Sequence, residues 1–216
     1  MAFFDLIYPK KCFGCGSQGQ YFCENCLQEI ELLPAESFLF NQRTDLNGLV
    51  SLFEYQGLTR LGIHKLKYRF LSDSFSEWQR LIRLALGQKL TAEAGWQFKR
   101  FLLTKPLVVP VPLYWRRQKW RGFNQSELLA QAVANNLKLD LEANLIKRTK
   151  AVVAQVSLER RQRQKNVGKA FRVVSKPVKS ILIVDDVWTS GATMLSVAKT
   201  LRRSGAKTIW GLTLAR

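Results

Sequence analysis

Short apolar runs alternate with amphipathic stretches through the second half of the chain. "LVVPVPL" from residue 107, "AFRVV" from 170, "SILIVDD" from 180 and "KTIWGLTLA" from 207 are rich in β-branched residues and predict strands, with "LIKR" (145–148) a shorter one. Between them "NQSELLAQAVANNL" (124–137) and "TMLSVAKTLRRSG" (193–205) repeat apolar residues at helical spacing. Strands alternating with helices predict an α/β fold with a largely parallel sheet and crossover helices. Ligands of such sheets collect beyond the carboxyl ends of the strands. The loops 112–124 and 185–193 each follow a strand and so fall on that edge.

The first half is less regular. "GLVSLFEYQG" (48–57) predicts a strand, and "LTRLGIHKLKY" (58–68) has near-helical spacing of its leucines. "DSFSEWQRLIRLALG" (73–87) predicts an amphipathic helix capped by Asp73 and stopped at Gly87. Residues 27–47 predict a short helix ended by Pro34 and then an irregular linker. A chain of 216 residues suits one domain with a small appendage, divided here as 1–47 and 48–216. The opening "MAFFDLIYPKKC" is too short for a signal peptide, and no apolar run spans a bilayer, which predicts a cytoplasmic protein without membrane insertion.

Charge alters this picture. The chain holds 34 Lys+Arg against 16 Asp+Glu, a net +18, which attracts phosphates, nucleic acid or anionic membranes and says nothing of fold. Residues 99 to 169 carry 16 basic and 4 acidic side chains, so 16 − 4 = +12 of that excess belongs to one third of the sequence.

All four cysteines stand together in "KCFGCGSQGQYFCENC" as Cys12, Cys15, Cys23 and Cys26. Two-residue gaps let each thiolate pair reach one ion, and four thiolates complete a closed tetrahedral shell, so the pattern predicts a structural zinc knuckle. Disulfides are the competing reading and fit poorly in a reducing compartment.

"ILIVDDVWTSGAT" (181–193) ends a strand on two adjacent aspartates and continues into hydroxyls and glycine. Like charges so placed need a donor or a cation between them. A sugar diol supplies two hydrogen bonds, and Mg2+ held by the sugar and a diphosphate neutralises the charge. The following helix start, with Thr189, Ser190 and Thr193 as hydroxyl donors and Gly191 allowing close approach, suits a phosphate monoester.

This stretch resembles the phosphoribosyl-diphosphate (PRPP) motif of type I phosphoribosyltransferases. "VPVPLYWRRQKWRGFNQSELLA" (109–130) resembles the signature of the ComF family, competence-associated phosphoribosyltransferase-like proteins with an amino-terminal cysteine knuckle. The cysteine cluster, "FEYQGLTRLGIHKLKYRF", the segment just quoted, "RRQRQKNVGKAF" and the acidic motif follow the family's order over nearly the whole chain. The resemblance implies a type I phosphoribosyltransferase-like fold and a PRPP site of Asp185, Asp186, Val187, Thr189, Ser190, Gly191, Ala192 and Thr193. The two aspartates would take the ribose hydroxyls, and Arg116, Arg117 and Arg121 would face the diphosphate. "RTKAVVAQVSLERRQRQKN" (148–166) matches the place of the mobile hood over substrate. Where the family often has His-Pro, Tyr114-Trp115 stands here, so no proton-transfer role is carried to that spot and no catalytic residue is assigned.

The hood region lacks a base-reading acid or aromatic and is basic from Arg160 to Lys165. Basic side chains interleaved with rings suit single-stranded nucleic acid, with charges tracking the backbone and rings stacking on bases. The candidates are Trp115, Lys119, Trp120, Arg160, Arg161 and Arg163. Trp188 either covers a base or sugar or packs inside; Trp78, Trp96 and Trp210 are expected in the core, and the only histidine, His64, receives no role. Three functions follow: a PRPP-binding, single-stranded-DNA-binding accessory of DNA uptake, an active phosphoribosyltransferase with an unidentified acceptor, or a degenerate scaffold. A helicase of the DNA-uptake machinery is the partner the resemblance suggests.

Overall fold

A computed structural model describes residues 9–34, 45–66, 74–149 and 170–216. A short helix α1 (Glu24–Leu27) follows the third cysteine. Strand β1 (Gly48–Phe53), helices α2 (Gly57–Lys65), α3 (Phe75–Thr91) and α4 (Trp96–Leu102), and strand β2 (Leu107–Pro110) come next. Then follow α5 (Trp115–Arg121), α6 (Gln125–Leu137), β3 (Ile146–Arg148), β4 (Phe171–Val173), β5 (Ser180–Val187), α7 (Ala192–Arg203) and β6 (Thr208–Ala215). Four strands form a wholly parallel sheet in the order β1-β6-β5-β2, while β3 and β4 make a separate antiparallel ribbon.

Strand periodicity divides the apolar residues between the two faces. On one face Val50, Leu52, Val108, Leu182, Val184 and Leu212 pack against Ile82 of α3 and Leu129 and Val133 of α6. On the other, Leu49, Val109, Ile181, Ile183 and Ile209 pack against Val197, Ala198 and Leu201 of α7 and against the ribbon. Sequential parallel strands with helices on both faces are the expected α/β outcome.

Neighbours β2 and β5 send their chains opposite ways. After β2 the chain runs through α6 and returns on the outer side of β2, where Leu141 bridges Val108 in parallel. After β5 it runs through α7 on the other face to β6. Such a reversal opens a crevice beyond the strand ends, the usual ligand position in open α/β sheets.

Four local expectations differ from the structure. Residues 28–34 are not helical: Leu33 N–H donates to Leu52 O at 3.0 Å and Leu32 bridges Phe53, so the segment pairs with the end of β1. Gly87 does not stop α3, which continues to Thr91; it lies on the exposed face, where a helix tolerates glycine at modest cost. Helix α4 carried no expectation, and Trp96 on it is 56% exposed instead of core. Most of the segment taken as the 112–124 loop is helix α5. Asp73, the expected cap of α3, lies outside the described residues.

Among the described residues no helix is long and apolar enough to cross a membrane.

Candidate functional site

The carboxyl end of β5 carries the acidic pair. Asp185 is half-buried, and its Oδ1 accepts two hydrogen bonds, from Ser126 Oγ at 2.8 Å and from the Asp186 N–H at 2.9 Å. The Val187 N–H donates to Asp186 Oδ1 at 2.7 Å. Burial, and then the neighbouring Asp186 charge, push the Asp185 carboxyl up to about 7, while the Ser126 hydroxyl opposes the shift. Both of these donors meet Oδ1.

The turn after β5 is a cradle. Trp188 N–H pairs with Ala215 O at 2.8 Å, so the strand ends on a backbone bond to β6. Thr189 and Ser190 are exposed, and Gly191 turns the chain into α7 with φ +70°. Gly191 offers no side-chain cap; the Ala192 N–H donates to Ser190 Oγ at 3.5 Å, and the positive end of α7 faces the turn. A cleft of about 280 Å³ is lined by Asp185, Val187 and residues 188–194. Asp186 is not among its lining residues. Trp188 is half-buried and its ring lies against Gly191, where any Cβ would collide with it. It therefore forms the wall of the cradle, packed against the core face of α7.

The far side of the crevice is the start of α6. Asn124 caps this helix by accepting from Ser126 N–H at 3.2 Å, and its Nδ2 donates to Val111 O at 3.2 Å. Ser126 thereby reaches Asp185, tying α6 to the acidic strand end. Arg121 Nη1 donates to Gln125 Oε1 at 3.1 Å. On α5 Trp115 is 51% and Trp120 75% exposed, and the Arg116 and Lys119 cations lie 5.3 and 5.7 Å from the Trp115 ring centroid. Arg117 belongs to the same helix. Arg160, Arg161 and Arg163 lie outside the described residues.

The four cysteines cluster, with their sulfurs all within 4.8 Å of one another. A tetrahedral zinc with bonds of about 2.3 Å requires sulfur–sulfur edges of roughly 3.8 Å, and Cys15 and Cys23 lie 3.6 Å apart. The Ser17 hydroxyl draws the Cys15 thiol down to about 6, whereas hydrogen bonding with Cys23, and then burial, push Cys26 up to about 12. Four thiols so close share negative charge badly without a cation, and the donor set fits structural zinc. The cluster is fastened to the rest of the fold. Glu77 of α3 accepts from the Tyr21 and Phe22 amides at 3.0 and 2.7 Å. Phe22 packs edge-on against Trp78 with centroids 5.0 Å apart.

No family model matches the chain. It is 30% identical over 213 residues to Competence protein F of Haemophilus influenzae, covering 94% of this chain and 84% of that protein. The chain belongs to the ComF family. DNA utilization protein YhgH of Escherichia coli O157:H7 is 36% identical over 165 residues, 74% of this chain and 68% of that protein. Its namesake in Salmonella typhimurium is 37% identical over 163 residues, with the same coverage.

In this ComF-family chain three contacts went unseen in the sequence: Ser126 on Asp185, Arg121 on Gln125, and Glu77 on the cysteine knuckle. The first two had a signal. "RGFNQS" sets a capping Asn and two polar residues at the start of a helix that follows the ligand-edge loop. Glu77 had none, since a carboxylate in the first turn of an amphipathic helix ordinarily faces water.

Proposed function

We propose that this protein binds PRPP with Mg2+ beyond the ends of β2 and β5, binds single-stranded DNA, and assists DNA uptake in natural transformation. The observation that carries the pocket is the half-buried Asp185 beside the glycine start of α7, at the point where the sheet reverses direction. Asp185 and Asp186 take the ribose hydroxyls, Val187 and Thr189 to Thr193 wrap the 5′-phosphate, and Arg116, Arg117 and Arg121 face the diphosphate. Bound Mg2+ would neutralise the diphosphate. The relatives' names, competence and DNA utilization, support the DNA role. We place the protein in the cytoplasm, with structural zinc on Cys12, Cys15, Cys23 and Cys26, residues 1–47 as knuckle and linker, 48–216 as a phosphoribosyltransferase-like domain, and an uptake helicase as partner.

Helix α5 is the nucleic-acid face. Residues 115 and 120 lie about 140° apart around a helix. Cations already lie near the Trp115 ring, which leaves the more exposed Trp120 as the platform on which a base stacks. Trp120→Ala is expected to weaken oligo-dT binding by ~1–3 kcal/mol with the salt slope unchanged. Lys119→Ala is expected to flatten that slope, since each lost phosphate contact releases fewer counterions. Oligo-dT affinity independent of salt would remove DNA from the proposal.

For the pocket, Asp185→Asn with Asp186→Asn should abolish thermal stabilisation by PRPP and Mg2+; an unchanged shift would show the ligand is elsewhere. The second reading, an active phosphoribosyltransferase, is favoured by the Asp185 carboxyl poised near neutrality. Diphosphate release with a panel of bases and amines decides it.

A further inference from the structure

Gln125, the first residue of α6, is only 5% exposed. Its amide oxygen accepts from Arg121, yet its amide nitrogen is buried with no hydrogen-bond partner among the described residues. The orientation follows from chemistry: a guanidinium has only donors, so the oxygen must face it and the NH2 must point elsewhere. A buried donor without an acceptor is unfavourable and rare, and a missing ligand is one physical cause.

The neighbours of Gln125 fix its place. Asn124 on one side is bonded to Val111 at the end of β2, and Ser126 on the other to Asp185 at the end of β5. The amide therefore stands at the N-terminus of a 13-residue helix, between two residues that tie that helix to the ends of β2 and β5. Cationic Arg121 and the positive end of α6 both favour an anionic acceptor there.

The geometry points to Gln125 as a ligand-binding residue whose amide N–H donates to an oxygen of a bound diphosphate. This deepens the PRPP reading and rests on it. With the 5′-phosphate in the turn before α7, the diphosphate of the same molecule extends across the crevice towards α6. Gln125 then reads the feature that distinguishes PRPP from a simple sugar phosphate.

The test is calorimetry on the full chain with three probes: Mg2+-PRPP, Mg2+ with inorganic diphosphate, and ribose 5-phosphate. Gln125→Met keeps the bulk of the side chain and removes the donor. Its affinity for PRPP and diphosphate is expected to fall about tenfold, the equivalent of one lost hydrogen bond, with ribose 5-phosphate binding unchanged. Gln125→Glu, which keeps the contact with Arg121 and sets a carboxylate against the ligand, is expected to show the same selective loss, and a larger one. Equal PRPP affinity in wild type and Gln125→Met overturns the inference and leaves the pocket standing. Loss of all three probes in both variants also overturns it, because it assigns Gln125 to the scaffold. A wild-type protein without PRPP affinity takes down the pocket and the inference together.

Discussion

Asp185 shows how one residue sets conditions for the molecule. Its folded carboxyl titrates near 7, above the ordinary 3.8. Between those values the folded state holds more protons than the unfolded one, so this group makes the fold less stable as pH rises from about 4 to 7. Asp185→Asn removes the penalty. Its melting temperature is expected to exceed that of wild type at pH 8, by roughly 2–4 °C per kcal/mol relieved, and to converge with it by pH 4. An advantage that is the same at both pH values would contradict the burial of this charge. Ser126→Ala deletes the hydroxyl that favours the ionised form, so the pH at which the wild-type curve bends should move higher.

At the scale of elements, the β5–turn–α7 unit was legible because every signal was local. Four apolar residues, two aspartates, a glycine and a helix with a clear apolar stripe stand in order within 25 residues, from Ser180 to Ser204. Gly191 is the strictest of them, with φ +70° and the Trp188 ring on its Cα. Gly191→Ala is expected to cost at least the ~1–2 kcal/mol of a left-handed non-glycine residue and to displace Trp188, abolishing stabilisation by PRPP; retained stabilisation with native tryptophan fluorescence would refute the cradle. Helix α4 was illegible for the opposite reason. Phe98 and Phe101 are buried by the Trp210 ring, 5.3 and 5.5 Å away, more than a hundred residues later in sequence. Lys99 and Arg100 between them gave the stretch a polar appearance. The helix expected before Pro34 failed similarly, because Leu32 and Leu33 find partners on β1 that no local pattern announces. At the site itself residue type revealed the acidic pair and the glycine turn into α7. The contact of Ser126 with Asp185 spans 59 positions and belongs to the fold alone.

For the whole molecule, the decisive feature is that the cysteine knuckle and the sheet share a core. Cys12, Phe22 and Cys26 lie in the same apolar cluster as Leu52, Trp78 and Leu212. At Gly62 a Cβ would lie 2.6 Å from the Trp78 ring and 2.8 Å from that of Phe22, so the knuckle is seated without slack. The division into 1–47 and 48–216 read from the sequence implies that loss of the metal would disorder the knuckle alone. Given the shared core, metal removal by a chelator is expected to lower one common unfolding transition, reported by tryptophan fluorescence and calorimetry alike. Two separate transitions would restore the sequence-based expectation. Glu77→Gln, which weakens a charged acceptor for two amides, should destabilise the same transition by about 1.5–3 kcal/mol.

The strand order has a consequence for biosynthesis. Strand β6 follows β1 to β5 in sequence, yet it sits between β1 and β5. Until it emerges, the knuckle with β1 and the β2–β5 half meet where α3 packs against α6, but they lack the strand that joins them into one sheet. The buried Ser51–Thr213 hydrogen bond that stitches them spans 162 positions. Long-range closure of this kind is slow. A nascent chain stalled before residue 208 would therefore be prone to aggregation and would call on chaperones, while emergence of β6 lets the halves join in one sheet.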